Sequence, residues 1–157
     1  MPKTNSKEIG NRGERKIAKE LSLWIWNDPH ILKKEVTSGA VKTVYFGDIY
    51  PIKETGWGEI FPFYFEIKWG YENHTPTLLN FSIIEKWWYK CVKESEQSNG
   101  QEIILLIMNF KGRKGILLST NKKLNIPYKC ILNIYPHIVY CYDYKEMLEY
   151  NFETVFK

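Results

Sequence analysis

Three charged residues fall inside stretches whose neighbours are apolar enough to read as β-strands: Asp48, just after Gly47, and the pair Glu66 and Lys68 within Phe65-Glu66-Ile67-Lys68. Side chains alternate along a strand, so Glu66 and Lys68 share one face while Phe65 and Ile67 turn the other way, into a core. Burying either charge without a partner costs on the order of several kcal/mol. If the strand holding Asp48 lies beside the one holding Glu66, two carboxylates converge, and they repel unless a cation sits between them. Oxygen donors with no His or Cys nearby select Mg²⁺ or Mn²⁺ over zinc. Such an ion activates a bound water and stabilises charge on a phosphoryl oxygen. Lys68, facing the same way, is placed to orient or activate the attacking water, or to neutralise the transition state.

Glu14 joins this set from a helix. It lies three residues before Ile17 and seven before Leu21, on the side of the apolar stripe. Gly10 and Gly13 just before it would let this turn approach a sheet or a phosphate closely, at about 1 kcal/mol each in helix propensity. The turn Ser38-Gly39-Ala40 adds a further element ahead of Asp48. Taken singly, an exposed helical glutamate or a Glu-x-Lys on a solvated face is unremarkable; the case rests on their occurrence together.

The elements that must position these residues follow from periodicity. Ile9, Ile17, Leu21 and Trp24 predict a helix from Ser6 to about Trp26, ended by Asp28-Pro29. Strands are expected over Ile31–Thr37, Lys42–Ile49 and Glu59–Trp69, followed by a loop from Tyr71 to Asn80. Ile84, Trp87, Trp88, Cys91 and Val92 predict a second helix over Ser82–Gln97, closed at Asn99-Gly100. Strands at Glu102–Asn109 and Gly115–Ser119, short strands at Cys130–Ile134 and Ile138–Tyr142, and a short helix at Tyr144–Tyr150 complete the chain. The order implies an α/β fold with a central mixed β-sheet flanked by α-helices. Phe61, Phe63 and Phe65 read as sheet packing and Cys91 as a small buried hydrophobe. Trp87 and Trp88 could stack on unpaired bases, but their helical spacing with Ile84, Cys91 and Val92 puts at least one in the core, and Trp88 is expected there. His74 reads as an ordinary loop residue.

Composition narrows the function class. The 157 residues are 44% hydrophobic and 25% charged, which excludes wholesale disorder and fits a single domain over 1–157. The 22 Lys and Arg against 18 Asp and Glu leave a net charge of +4, which permits a polyanionic partner. Basic residues cluster at Lys3, Lys7, Arg12, Arg15, Lys16 and Lys19 and again at Lys111, Arg113 and Lys114; the plain alternative is a solvated helix face and a hairpin tip. Three cysteines with no Cys-x-x-Cys pair, and three scattered histidines, support neither a disulfide framework nor a zinc site. The polar start and the short aliphatic run Ile103 to Met108 predict no membrane association and a cytoplasmic protein, or one of the host cytoplasm if the chain is viral.

In order and spacing, Gly10-Asn11-Arg12-Gly13-Glu14-Arg15, Thr37-Ser38-Gly39-Ala40, Gly47-Asp48-Ile49, Phe61 to Lys68, Glu85 to Cys91 and the strand Ile103 to Met108 resemble the PD-(D/E)XK nuclease superfamily. Within it they resemble the Holliday-junction-resolvase-like endonucleases of archaea and phages, over about residues 8 to 118. Gly47 stands where the family usually has proline, and Lys90 where related phage proteins often carry glutamine. The resemblance implies a Mg²⁺-dependent endodeoxyribonuclease (Mn²⁺ may substitute) with Asp48 and Glu66 as metal ligands and Lys68 as catalytic lysine. Glu14 would complete the metal shell directly or through water, and Ser38 would contact a phosphate or the active site. Arg12, Arg15, Lys16, Ser38, Lys90, Lys111 and Arg113 are the expected DNA contacts. The resemblance further implies a homodimer cutting four-way junctions, a two-fold assembly on a pseudo-two-fold substrate. Two other readings stand beside it: a restriction- or repair-type endonuclease on plain duplex, and a DNA-binding module without catalysis.

Overall fold

A computed structural model describes residues 5–34, 45–72, 81–111 and 114–156. Its first element, α1 (Ser6–Trp26), starts where the Asn5 side chain accepts the Lys7 backbone N–H, and ends at Asn27, whose φ of 54° reverses the chain. The stop is therefore a left-handed asparagine that donates its N–H to the Leu23 carbonyl, one residue before Asp28-Pro29. Two short strands, β1 (Leu32–Lys34) and β2 (Ile49–Pro51), pair antiparallel.

The main sheet has five strands: β3 (Phe63–Glu72), β4 (Ile103–Lys111), β5 (Leu117–Thr120), β6 (Cys130–Ile134) and β7 (His137–Asp143), in the order β3-β4-β5-β7-β6. Only β3 and β4 are parallel, and α2 (Phe81–Gln97) makes the crossover between them. Two short helices, α3 (Tyr144–Met147) and α4 (Phe152–Phe156), close the chain. The mixed sheet flanked by helices is the α/β architecture that the periodicity implied.

Each face of the sheet has its own core. On one, Ile17 and Leu21 of α1 pack with Phe63, Phe65, Ile67, Leu105 and Ile107, and Phe152 and Phe156 of α4 extend the cluster. On the other, Trp87, Trp88 and Cys91 of α2 pack with Tyr64, Ile104, Leu106 and Met108. Phe61, Phe63, Phe65 and Cys91 are thus packing residues, as their sequence context suggested, and Trp88 is fully buried. Trp87 is buried too, so it offers no free face for a base. A strand covered on both sides is nearly continuous in apolar residues, which is why β3 does not show clean alternation.

Several boundaries differ from expectation. The strand expected over Lys42–Ile49 begins at Ile49, because Gly47 adopts φ +101° and breaks the extended run; residues 42–44 lie outside those described. Asp48 consequently sits in the turn ahead of β2 and not within a strand. Of the stretch Ile31–Thr37, the structure describes only Leu32–Lys34 as strand, and 35–37 lie outside the described residues. β3 starts at Phe63, since Gly58 to Pro62 is irregular. The last helix stops at Met147, and α4 was not anticipated because five residues carry too little periodicity to read.

The two glycines of α1 separate in role. A Cβ at Gly13 would lie 2.2 Å from Trp69 Cγ, whereas a Cβ at Gly10 would meet nothing within 4 Å. Only Gly13 is needed for close approach of helix to sheet. Urea denaturation should show Gly13→Ala destabilised by about 1–3 kcal/mol through overpacking. Gly10→Ala should instead gain about 0.5–1 kcal/mol from helix propensity.

Candidate active site

Glu66 is the most deeply buried charge among the described residues: it lies on β3 at 1% exposure, on the face that α2 covers. Its Oε1 is 2.7 Å from Lys68 Nζ, on the same strand face as alternation requires, and 2.8 Å from Lys90 Nζ on α2. The Tyr64 hydroxyl is 3.1 Å from Glu66 Oε2 and 2.5 Å from Glu94 Oε2; its single proton serves one carboxylate at a time. Burial pushes the Glu66 carboxyl upward, but Lys68 and Lys90 outweigh burial and hold it below the usual carboxylate range. Lys90 is also pushed down by burial, and its pairing with Glu66 more than reverses that. Lys68 Nζ lies 5.6 Å from the Trp87 ring centroid, which the buried Trp87 thus serves to cushion.

Asp48 reaches Glu66's strand from outside the sheet. Its backbone N–H donates to the Phe65 carbonyl at 2.8 Å, and its Oδ2 accepts the Ile67 N–H at 2.7 Å. These two bonds place it on the outer edge of β3, flanking Glu66. Gly47 makes the approach possible: a Cβ there would lie 2.6 Å from the Phe65 carbonyl oxygen. Gln101, at 1% exposure, holds the incoming chain, accepting the Phe46 N–H at 2.7 Å and donating to the carbonyls of Phe46 (2.9 Å) and Phe63 (3.0 Å). One buried amide therefore ties the segment carrying Asp48 to the strand carrying Glu66.

Glu14 comes from α1, where its Oε2 is 3.2 Å from Lys34 Nζ of β1; Lys34 also donates to Asn11 Oδ1 at 2.7 Å. Glu14, Asp48, Glu66, Lys68 and Lys90 line one cavity of about 620 Å³ at the end of β3, where Gly70 bulges the strand. Among the described residues, no three acidic, His or Cys side chains stand close enough to cage an ion by themselves. Arg12, Arg15 and Lys16 lie on the outer side of α1, with Lys16 Nζ 5.3 Å from the Trp69 ring centroid. Lys111 ends β4, opposite Glu72 of β3. Ser38, Arg113 and His74 lie outside the described residues.

Sequence reasoning passed over Tyr64, Glu94, Lys34, Asn11 and Gln101. Two were legible: Tyr64 stands two residues before Glu66 on the same strand face, and Glu94 stands one helical turn after Lys90. Lys34 and Gln101 act through contacts 20 and 55 residues away, which no local pattern encodes.

Asp48 has no ion-pair partner among the described residues, and its carboxyl is pushed from 3.8 up to about 7. Burial is the main cause, and the Glu66 charge adds to it; the Ile67 N–H and Lys90 oppose, and Glu14 adds a smaller upward push. An acid with a folded pKa above its unfolded value keeps its proton in the native state where the unfolded chain has lost it. Stability is then lost as pH rises from about 4 through about 7. The stability of chelator-treated protein, read by urea denaturation, should fall between about pH 4 and pH 7, and Asp48→Asn should flatten that decline.

No solved structure matches the chain. "Protein D14" of Escherichia phage T5 is 33% identical over 109 residues, 64% of this chain and 63% of that protein, so the match spans less than two thirds of the relative. The profile of the family described as "Phage putative PDDEXK endonuclease" matches residues 5–156, nearly the whole chain, and the protein therefore belongs to the phage PD-(D/E)XK endonuclease family.

Proposed function

We propose that the protein is a Mg²⁺-dependent DNA endonuclease selective for branched DNA, resolving four-way junctions as a homodimer. The observation that carries this reading is the convergence of Asp48, Glu66, Lys68 and Glu14, from three separate segments, on one cavity. The donor set fits a hard cation. All three acids offer oxygen, and Asp48 is a half-buried carboxylate lining the cavity, with no ion-pair partner among the described residues. Asp48 and Glu66 would hold the ion, with Glu14 bound directly or through water. When bound, a hard divalent ion lowers the pKa of a coordinated water and draws charge from a phosphoryl oxygen.

The chain's own residues do the rest. Lys68, paired with Glu66, supplies N–H donors for the negative charge that grows on a non-bridging oxygen during in-line displacement. The Ile67 N–H fixes the orientation of the Asp48 carboxylate, so it need not reorganise when the substrate arrives. Arg12, Arg15 and Lys16 on α1 give the backbone of DNA a cationic surface beside the cavity. Mn²⁺ shares the preference for oxygen donors and should substitute.

Cleavage of a labelled four-way junction should require Mg²⁺, stop with EDTA, and fall by at least about 10³-fold in Asp48→Asn and in Glu66→Gln while junction binding persists. Either variant cutting at the parental rate would remove the site assignment, and equal rates on junction and linear duplex would remove the junction preference. Binding should also weaken with salt, log K falling by about 0.9 per phosphate contact against log salt concentration. A flat titration by fluorescence anisotropy would contradict a phosphate-tracking surface.

A further inference from the structure

Lys90 and Glu94 stand one helical turn apart on α2 and face Tyr64 and Glu66, which share one face of β3. The four side chains close a ring. Lys90 Nζ is 2.8 Å from Glu66 Oε1 and 3.8 Å from Glu94 Oε1. The Tyr64 hydroxyl is 2.5 Å from Glu94 Oε2 and 3.1 Å from Glu66 Oε2. Lys90 is therefore shared between two carboxylates, held closely by one and loosely by the other. Burial opposes its charge, while Glu66, Glu94 and Asp48 in turn favour it.

The two oxygens of Glu66 differ in what they offer a cation. Oε2 lies against Tyr64, which is fully buried and does not line the cavity. Oε1 lies against Lys68 and Lys90, both of which do. A carboxylate oxygen has two lone-pair directions, and two ammonium groups use both. A divalent ion entering from the cavity must therefore displace one amine. Lys68 is 15% exposed and lies over the Trp87 ring, whereas Lys90 is 47% exposed and has Glu94 within reach. Glu66 is too deeply buried to stand without a countercharge, so arrival of the ion and departure of the amine are one exchange.

We infer that Lys90 is a displaceable countercharge that competes with the divalent ion for Glu66 Oε1, and that Glu94, fixed by the Tyr64 hydroxyl, receives Lys90 on displacement. The inference rests on the metal-dependent nuclease reading above and deepens it by assigning Lys90 and Glu94 as positioning residues that set the ion affinity of the site. The site takes an ion only in the fraction of molecules whose Lys90 has moved to Glu94, and the apparent affinity is reduced by that fraction.

The test is Mn²⁺ binding without DNA, read from the loss of the free ion's EPR signal. Lys90→Met should tighten binding at least about fivefold, and Glu94→Gln should weaken it at least about fivefold. The double variant should bind within about twofold of Lys90→Met, since Glu94 acts through Lys90. Removing a positive or a negative charge near an ion shifts its affinity in the same two directions at a distance, but such effects add. Additive changes in the double variant, or unchanged affinity in Lys90→Met, would overturn the inference. Should circular dichroism show Lys90→Met unfolded, Lys90→Gln takes its place in both variants. Asp48→Asn marks the site and should lose at least about tenfold in Mn²⁺ affinity. Absence of Mn²⁺ binding, or binding indifferent to Asp48→Asn, would overturn the metal site and the inference together. Binding that depends on Asp48 but not on Lys90 would overturn the inference alone.

Discussion

A carboxylate at 1% exposure, in a strand covered on both faces, has to be neutralised by its neighbours, and the arrangement around Glu66 meets that demand. Lys68 reaches it from the same strand and Lys90 from α2, so helix and strand are locked by charge as well as by the packing of Trp87, Trp88 and Cys91. The Tyr64 hydroxyl and Glu94 extend the network along the sheet and helix. A buried ion pair of this kind is weak evidence for stability, because an apolar replacement of similar volume often does as well.

The outer edge of β3 poses a second constraint. An uncovered strand edge invites pairing with other chains. Here residues Gly47 and Asp48 take up part of that edge, the backbone of Asp48 serving the Phe65 carbonyl and its carboxylate serving the Ile67 N–H. One residue thus covers the sheet and stands beside Glu66. The cost is electrostatic: burial, with the Glu66 charge adding to it, pushes the Asp48 carboxyl up to about 7. The same short segment covers the strand edge and brings a carboxylate beside Glu66, with Gln101 holding its entry.

Charge is distributed accordingly. Lys68 and Lys90 are paired with Glu66, whereas Arg15, Lys19 and Lys33 stand exposed around a neighbouring groove between α1 and β1. The two cavities meet where Lys7, Asn11, Glu14 and Asp48 line both. Among the described residues no helix is long and apolar enough to cross a membrane.

Local pattern determined much of this protein. The periodicity of α1 and α2, the extents of β6 and β7 and the shared face of Glu66 and Lys68 all follow from spacing along the chain, because helices and strands repeat at fixed short intervals. The same holds for the family resemblance, which rests on the order of short motifs. Tertiary structure decided what spacing cannot express: that Asp48 lies in a turn against the edge of β3, that α2 buries the Glu66 face and brings Lys90 to it, and that Lys34 and Gln101 belong to the site. Those contacts join segments 19 to 55 residues apart, and their formation depends on how a sheet edge and two helices meet in space. A residue's neighbours in sequence carry no record of that meeting.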